Sequence, residues 1–133
     1  MKGTMIEETK GRLDFGAMRD AIERKDPDAL LGFYAEDAEL CIVHEALPEG
    51  RAFELKGRAQ IERYLRAVCG QDVTCAVRGE AVYGERSVAF VEACSYPHGI
   101  PTSISTTLEV EGGLISRQID VVQGAREDEM SKA

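Results

Sequence analysis

The chain has 133 residues, with 16 basic against 24 acidic side chains, a net charge of −8, and 44% hydrophobic residues. That length suits one domain burying roughly two-thirds of its unfolded surface in a single core, and the charge leaves no Lys/Arg tract to track a nucleic acid or an anionic membrane. No run approaches the ~20 apolar residues of a membrane span, and the N-terminus lacks the apolar core of a secretory signal, so a cytoplasmic protein is expected.

In chain order, residues 1–12 read as a flexible polar tail, 13–124 as the domain and 125–133 as a second flexible tail. Leu13 to Lys25 is a helix, with Phe15, Met18 and Ile22 at spacings of three and four. Asp26-Pro27-Asp28 restarts a short second helix through Leu30, Leu31, Phe33 and Tyr34, because an Asp cap satisfies free amides and proline is tolerated at the first helical position. After Glu36-Asp37 the period becomes two, and Ala38, Leu40, Ile42 and His44 share one face of a strand. Ala46 to Arg51 is a loop, and Phe53 to Leu55 a short return strand. Gly57 then opens a helix with Ile61, Tyr64, Leu65 and Val68 on one stripe and Gly70 at its end. Val73–Tyr83, Ser87–Tyr96, Thr102–Val110 and Leu114–Val122 are strands, and the turns between them make neighbours antiparallel. In the last strand alternation sets Ser116, Gln118 and Asp120 on one side and Ile115, Ile119 and Val121 on the other.

Helices first and a meander last make an α+β domain whose helices cover one face of a curved sheet. The run Lys25-Asp26-Pro27-Asp28-Ala29-Leu30-Leu31, the segment Phe33 to Leu40, Leu55-Lys56-Gly57-Arg58, and Gly112-Gly113-Leu114-Ile115 leading to Ile119-Asp120-Val121-Val122 carry a resemblance. With them the chain resembles the SnoaL-like polyketide cyclase branch of the nuclear transport factor 2-like superfamily. The resemblance implies a cone-like, curved antiparallel sheet covered on its concave face by three helices, with a small apolar molecule held inside the cone. It also sets Asp120 where SnoaL-like cyclases place an acid/base aspartate. The family pattern often has histidine two residues earlier and tryptophan one residue earlier, where this chain has Gln118 and Ile119.

Several side chains join Asp120 as candidates. His44 points inward from the first strand as a second proton carrier or a hydrogen-bonded core residue. Gln118 has both donor and acceptor for a substrate oxygen, and the hydroxyls of Tyr34, Tyr64 and Ser116 are candidate substrate contacts. A ketosteroid isomerase would require a carboxylate, a tyrosine and a protonated acid where this chain has Ile42, Met18 and Thr106. That mechanism is disfavoured, and Thr106 is grouped with the substrate contacts. Cys41, Cys69, Cys75 and Cys94 form no Cys-x-x-Cys pair and, with His44 and His98, no zinc spacing. Four free thiols and no metal are expected. No glycine-rich phosphate loop, Gly-x-Ser-x-Gly or His-Glu-x-x-His occurs, so no cofactor is implied. Two functions follow: a cofactor-independent acid/base enzyme acting on a small apolar carbonyl compound, and a non-catalytic ligand-binding or association domain. A homodimer through the outer sheet face is expected from Ile115, Ile119 and Val121 facing outward.

Overall fold

The computed structural model describes residues 12–44, 52–83, 86–97, 99 and 101–124. The expected tails apart from Arg12, the loop at 46–51, the Gly84-Glu85 turn and His98 lie outside them. Asp14 accepts a hydrogen bond of 3.0 Å from the Ala17 amide and so starts α1 (Phe15–Arg24). Lys25 ends that helix in the left-handed region, at φ 56°, which lets its amide return to the carbonyls of Ala21 and Ile22. Asp26 caps α2 (Pro27–Leu31) in the same way, bonding the Ala29 amide at 3.1 Å.

The second helix is shorter than its apolar spacing predicts. It stops at Leu31, and Tyr34 opens β1 (Tyr34–His44). Five residues are too few to hold a helix by themselves, whereas the sheet offers partners here: the Ile115 amide donates to the Phe33 carbonyl at 2.8 Å, and Tyr34 lies opposite Ile115. Tyr34 is therefore a strand residue. β2 (Phe53–Lys56) pairs back on β1, and α3 (Arg58–Cys69) follows, burying Ile61 and Leu65. The meander is β3 (Thr74–Tyr83), β4 (Ser87–Ser95), β5 (Thr102–Glu111) and β6 (Leu114–Gly124).

These strands form one six-stranded sheet in the order β2-β1-β6-β5-β4-β3. All pairs are antiparallel except β1 with β6, which is parallel. No hairpin joins those two, so their relative direction is set by docking and not by a turn. The helices pack on the concave face, where Met18, Ala21, Leu40, Ile61, Leu108 and Ile115 are almost fully buried. Polar pairs at the edges tie helix to sheet: Arg19 meets Glu80 at 2.6 Å, and the Val77 amide donates to Glu23 at 2.9 Å. No helix among the described residues is long and apolar enough to cross a membrane.

One feature of β6 departs from strict alternation. Arg117 pairs with Glu109 but Ile115 pairs with Val110, so Ser116 is an extra residue, a β-bulge. The bulge reverses the facing of everything before it. Ile115 is 0% exposed in the core, not on the outer face, while Gln118, Asp120 and Val122 still point inward. Ile119 and Val121 face outward as alternation predicts, Val121 with 37% exposure.

Candidate functional site

Register builds the site. Ile42, Asp120, Thr106 and Phe90 form one row across β1, β6, β5 and β4, and Leu40, Gln118, Leu108 and Val88 form the next. Asp120 is thus a carboxylate set in the middle of an apolar surface. Thr106 donates to its Oδ1 at 3.0 Å, and the Gln118 amide nitrogen donates to the same oxygen at 2.9 Å. The Tyr34 hydroxyl donates in turn to the Gln118 amide oxygen at 2.6 Å. The chain Tyr34–Gln118–Asp120 fixes the amide orientation from both ends, so neither group has rotational freedom.

Both donors converge on Oδ1, and Oδ2 takes no hydrogen bond among the described residues. Asp120 lines a partly open cavity of about 70 Å³ between the sheet and the three helices. At roughly 10–15 Å³ per ordered water, that space holds a handful of waters or the reactive end of a small molecule. Its wall is mostly apolar, from Met18, Leu30, Val68, Phe90 and Ile104, with few polar groups, the usual anatomy of a ligand site.

Burial governs the electrostatics. It pushes the Asp120 carboxyl up from 3.8 to about 6, although the hydrogen bonds from Gln118 and Thr106 pull it down. The Tyr34 phenol is pushed well up by its burial and then by the nearby Asp120 charge. The same two causes, in the same order, raise Tyr64, which stays a neutral phenol. Tyr64 lines the cavity, and its hydroxyl makes no hydrogen bond among the described residues, so that donor is uncommitted.

The fold brings Asp120, Gln118, Thr106, Tyr34 and Tyr64 together. It does not bring in Ser116 or His44. The Ser116 hydroxyl is spent on the bulge, donating to the Glu109 carbonyl at 3.1 Å. His44 is half-buried at the far end of β1, opposite Val122 and one side-chain repeat beyond Asp120's partner Ile42, and the cavity does not reach it.

A second carboxyl does line the cavity, and sequence reasoning passed over it. Glu92 of β4 is pushed up from 4.5 to about 8, first by burial and then by the Asp120 charge. The signal was present: Val88, Phe90, Glu92 and Cys94 alternate as one inward row, with a lone acid among apolar residues. The four cysteines are free thiols. Cys75 and Cys94 stand opposite each other on β3 and β4 with their sulfurs 3.1 Å apart. The Cys94 thiol beside it holds Cys75 down at about 7, against the effect of burial.

A SnoaL-like domain model matches residues 15–118, most of the chain. The protein belongs to the SnoaL-like family. No functionally curated protein matches it in sequence. Among solved structures it is similar to a proposed ketosteroid isomerase from Kribbella flavida, at 21% identity and TM-score 0.70, covering 89% of this chain and 81% of that one. It is similar to the epoxide hydrolase/cyclase-like enzyme SalBIII, which acts in pyran ring formation in salinomycin (19%, TM-score 0.62, covering 82% and 87%). A third is a nuclear transport factor 2-like protein from Burkholderia xenovorans LB400 (20%, TM-score 0.70, covering 92% and 89%). At these identities the likeness establishes the cone-like α+β fold, and the SnoaL-like chain's own residues must carry any statement about chemistry.

Proposed function

We propose that the cavity takes a small apolar carbonyl compound and that Asp120 moves a proton on it. The observation that carries this reading is the one-sided solvation of Asp120: Oδ1 is held by Thr106 and Gln118, and Oδ2 is left to the cavity. A group held at about 6 is mostly ionised at neutral pH yet more basic than an ordinary aspartate, which is the condition for a general base. Oδ2 would take the proton from the carbon beside the carbonyl. The C–H electron pair moves into the new C=C bond, and the carbonyl π pair moves onto its oxygen. The Tyr64 hydroxyl, open in the same cavity, would hydrogen-bond that enolate oxygen. Asp120 then returns the proton to another carbon, giving an isomerisation, or the enolate carbon attacks a second carbonyl carbon of the same substrate, whose π pair moves onto its oxygen and takes the proton from Asp120, giving an aldol-type cyclisation.

Gln118 and Tyr34 act on this step by position, since both are committed to holding Asp120 in place. The proton transfer draws only on side chains. This SnoaL-like protein is proposed to work in the cytoplasm as a homodimer through the convex face, where Ile119 and Val121 emerge. Screening small aromatic and polyketide-like carbonyl compounds by thermal shift, followed by turnover assays, tests the reading. With a substrate in hand, Asp120→Asn should lower turnover by roughly a hundredfold or more, the usual contribution of a positioned proton-transfer group. Unchanged turnover in a folded variant removes Asp120 from the mechanism.

A further inference from the structure

Within the concave face lies a second cluster that proton transfer by Asp120 does not use. Cys75 and Cys94 are direct cross-strand partners, so their side chains leave the sheet on the same side. Glu92 precedes Cys94 by two residues and therefore shares that side, and its longer stem brings the carboxylate back to the thiols. The two sulfurs and a Glu92 oxygen all lie within 4.8 Å of one another. Glu92 is half-buried on the cavity wall and makes no hydrogen bond among the described residues, which leaves its carboxylate oxygens uncommitted.

We propose that Cys75, Cys94 and Glu92 form a binding site for one thiophilic divalent cation of the zinc or cadmium class. The donor set selects that class, because two thiolates with one carboxylate suit zinc and its heavier analogue and not magnesium or calcium. Geometry is close to what is required. Bonds of about 2.3 Å to sulfur and about 2.0–2.2 Å to oxygen in a tetrahedron place ligand atoms about 3.5–3.8 Å apart. The sulfurs, at 3.1 Å, must separate by under ~1 Å, a movement within reach of small side-chain rotations on a fixed ladder. Three protein ligands leave a fourth position, and Cys75 and Glu92 both line the cavity, so that position opens toward it. A water or a ligand oxygen would complete the coordination there.

The site was invisible to spacing rules because its ligands come from two strands and pair across the ladder. None of the three ligands hydrogen-bonds Asp120, so the site does not draw on the donors that hold that residue.

The experiment titrates the reduced full chain with Cd²⁺ and follows the ultraviolet thiolate-to-cadmium charge-transfer band, with Zn²⁺ as competitor. One equivalent per chain is expected, displaced by zinc. Cys75→Ser and Cys94→Ser should each weaken binding by about a hundredfold or more, and Glu92→Gln by about tenfold with the band retained. Cys41→Ser, on the opposite side of β1, should leave the titration unchanged. If the serine variants fail to fold, X-ray absorption of the zinc-loaded wild type decides. Two sulfur and two light-atom neighbours support the site, and four sulfurs or none overturn it. No band in the reduced wild type, a band that survives both serine changes, or two thiols locked as a disulfide that reduction fails to turn into a cadmium site would likewise overturn it.

Discussion

Replacing Asp120 by asparagine should make the protein more stable at neutral and alkaline pH, even as it removes the acid/base group. The carboxyl is 4% exposed and is held at about 6 against an ordinary 3.8. The native state therefore binds the proton more tightly than the unfolded chain does. Between those two values the native protein carries more protons, so stability falls as pH rises through the window and then levels off above about 6. The full difference corresponds to about 3 kcal/mol, at about 1.4 kcal/mol per pH unit. Asparagine keeps an oxygen to accept from Thr106 and Gln118, so the hydrogen-bonded shape survives while the desolvated charge is gone. Removing the charge also relieves Glu92, whose raised value owes its second-largest cause to Asp120.

Urea denaturation of wild type and Asp120→Asn at pH 4, 5, 6 and 8 measures this. The two should converge near pH 4 and diverge to about 1–3 kcal/mol in favour of the variant by pH 8, roughly 4–10 °C in Tm for a domain of this size. A variant less stable at pH 8, or a gap constant from pH 4 to 8, would refute the claim that the folded protein holds a desolvated carboxylate there. The comparison needs no substrate, so it separates a strained acid/base group from a structural one before any activity is found.

Tyr64→Phe should lower turnover of an identified substrate by about tenfold to a hundredfold with KM little changed, because it removes a donor that Asp120's network does not supply; equal kcat would remove Tyr64 from the oxygen site. Ile115→Ala should cost about 2–4 kcal/mol in urea denaturation, while Ser116→Ala next to it should stay within about 0.5 kcal/mol; the reverse order would contradict the bulge. Sedimentation should find a dimer that Val121→Asp converts to monomer, and a wild-type monomer at micromolar concentration would end the proposal of a convex-face interface.

Local chemistry in the chain determined a good deal. Asp14 and Asp26 cap the helices because a short carboxylate reaches an amide three residues on. The stripe Ile61, Tyr64, Leu65 and Val68 makes α3, and period-two runs bounded by turn residues make the meander. Those signals act over a few residues, so they are legible without a partner. Together with the residues at 25–40 and 112–122 they also suffice for the SnoaL-like family, and so for Asp120 and Gln118 facing inward. Tertiary structure decided what depends on a second strand. Tyr34 sits on a helix by spacing but on β1 in fact, because pairing with Ile115 outweighs a five-residue helix, and only there does its hydroxyl reach Gln118. Ser116 leaves the site and Ile115 enters the core because one extra residue at a bulge inverts side-chain facing, and a bulge exists only relative to the strand opposite. Glu92 with Cys75 and Cys94 is a meeting across β3 and β4, set by ladder register. Which groups surround a carboxylate, and thus how far its charge is desolvated, is a property of those long-range contacts and not of its neighbours in the chain.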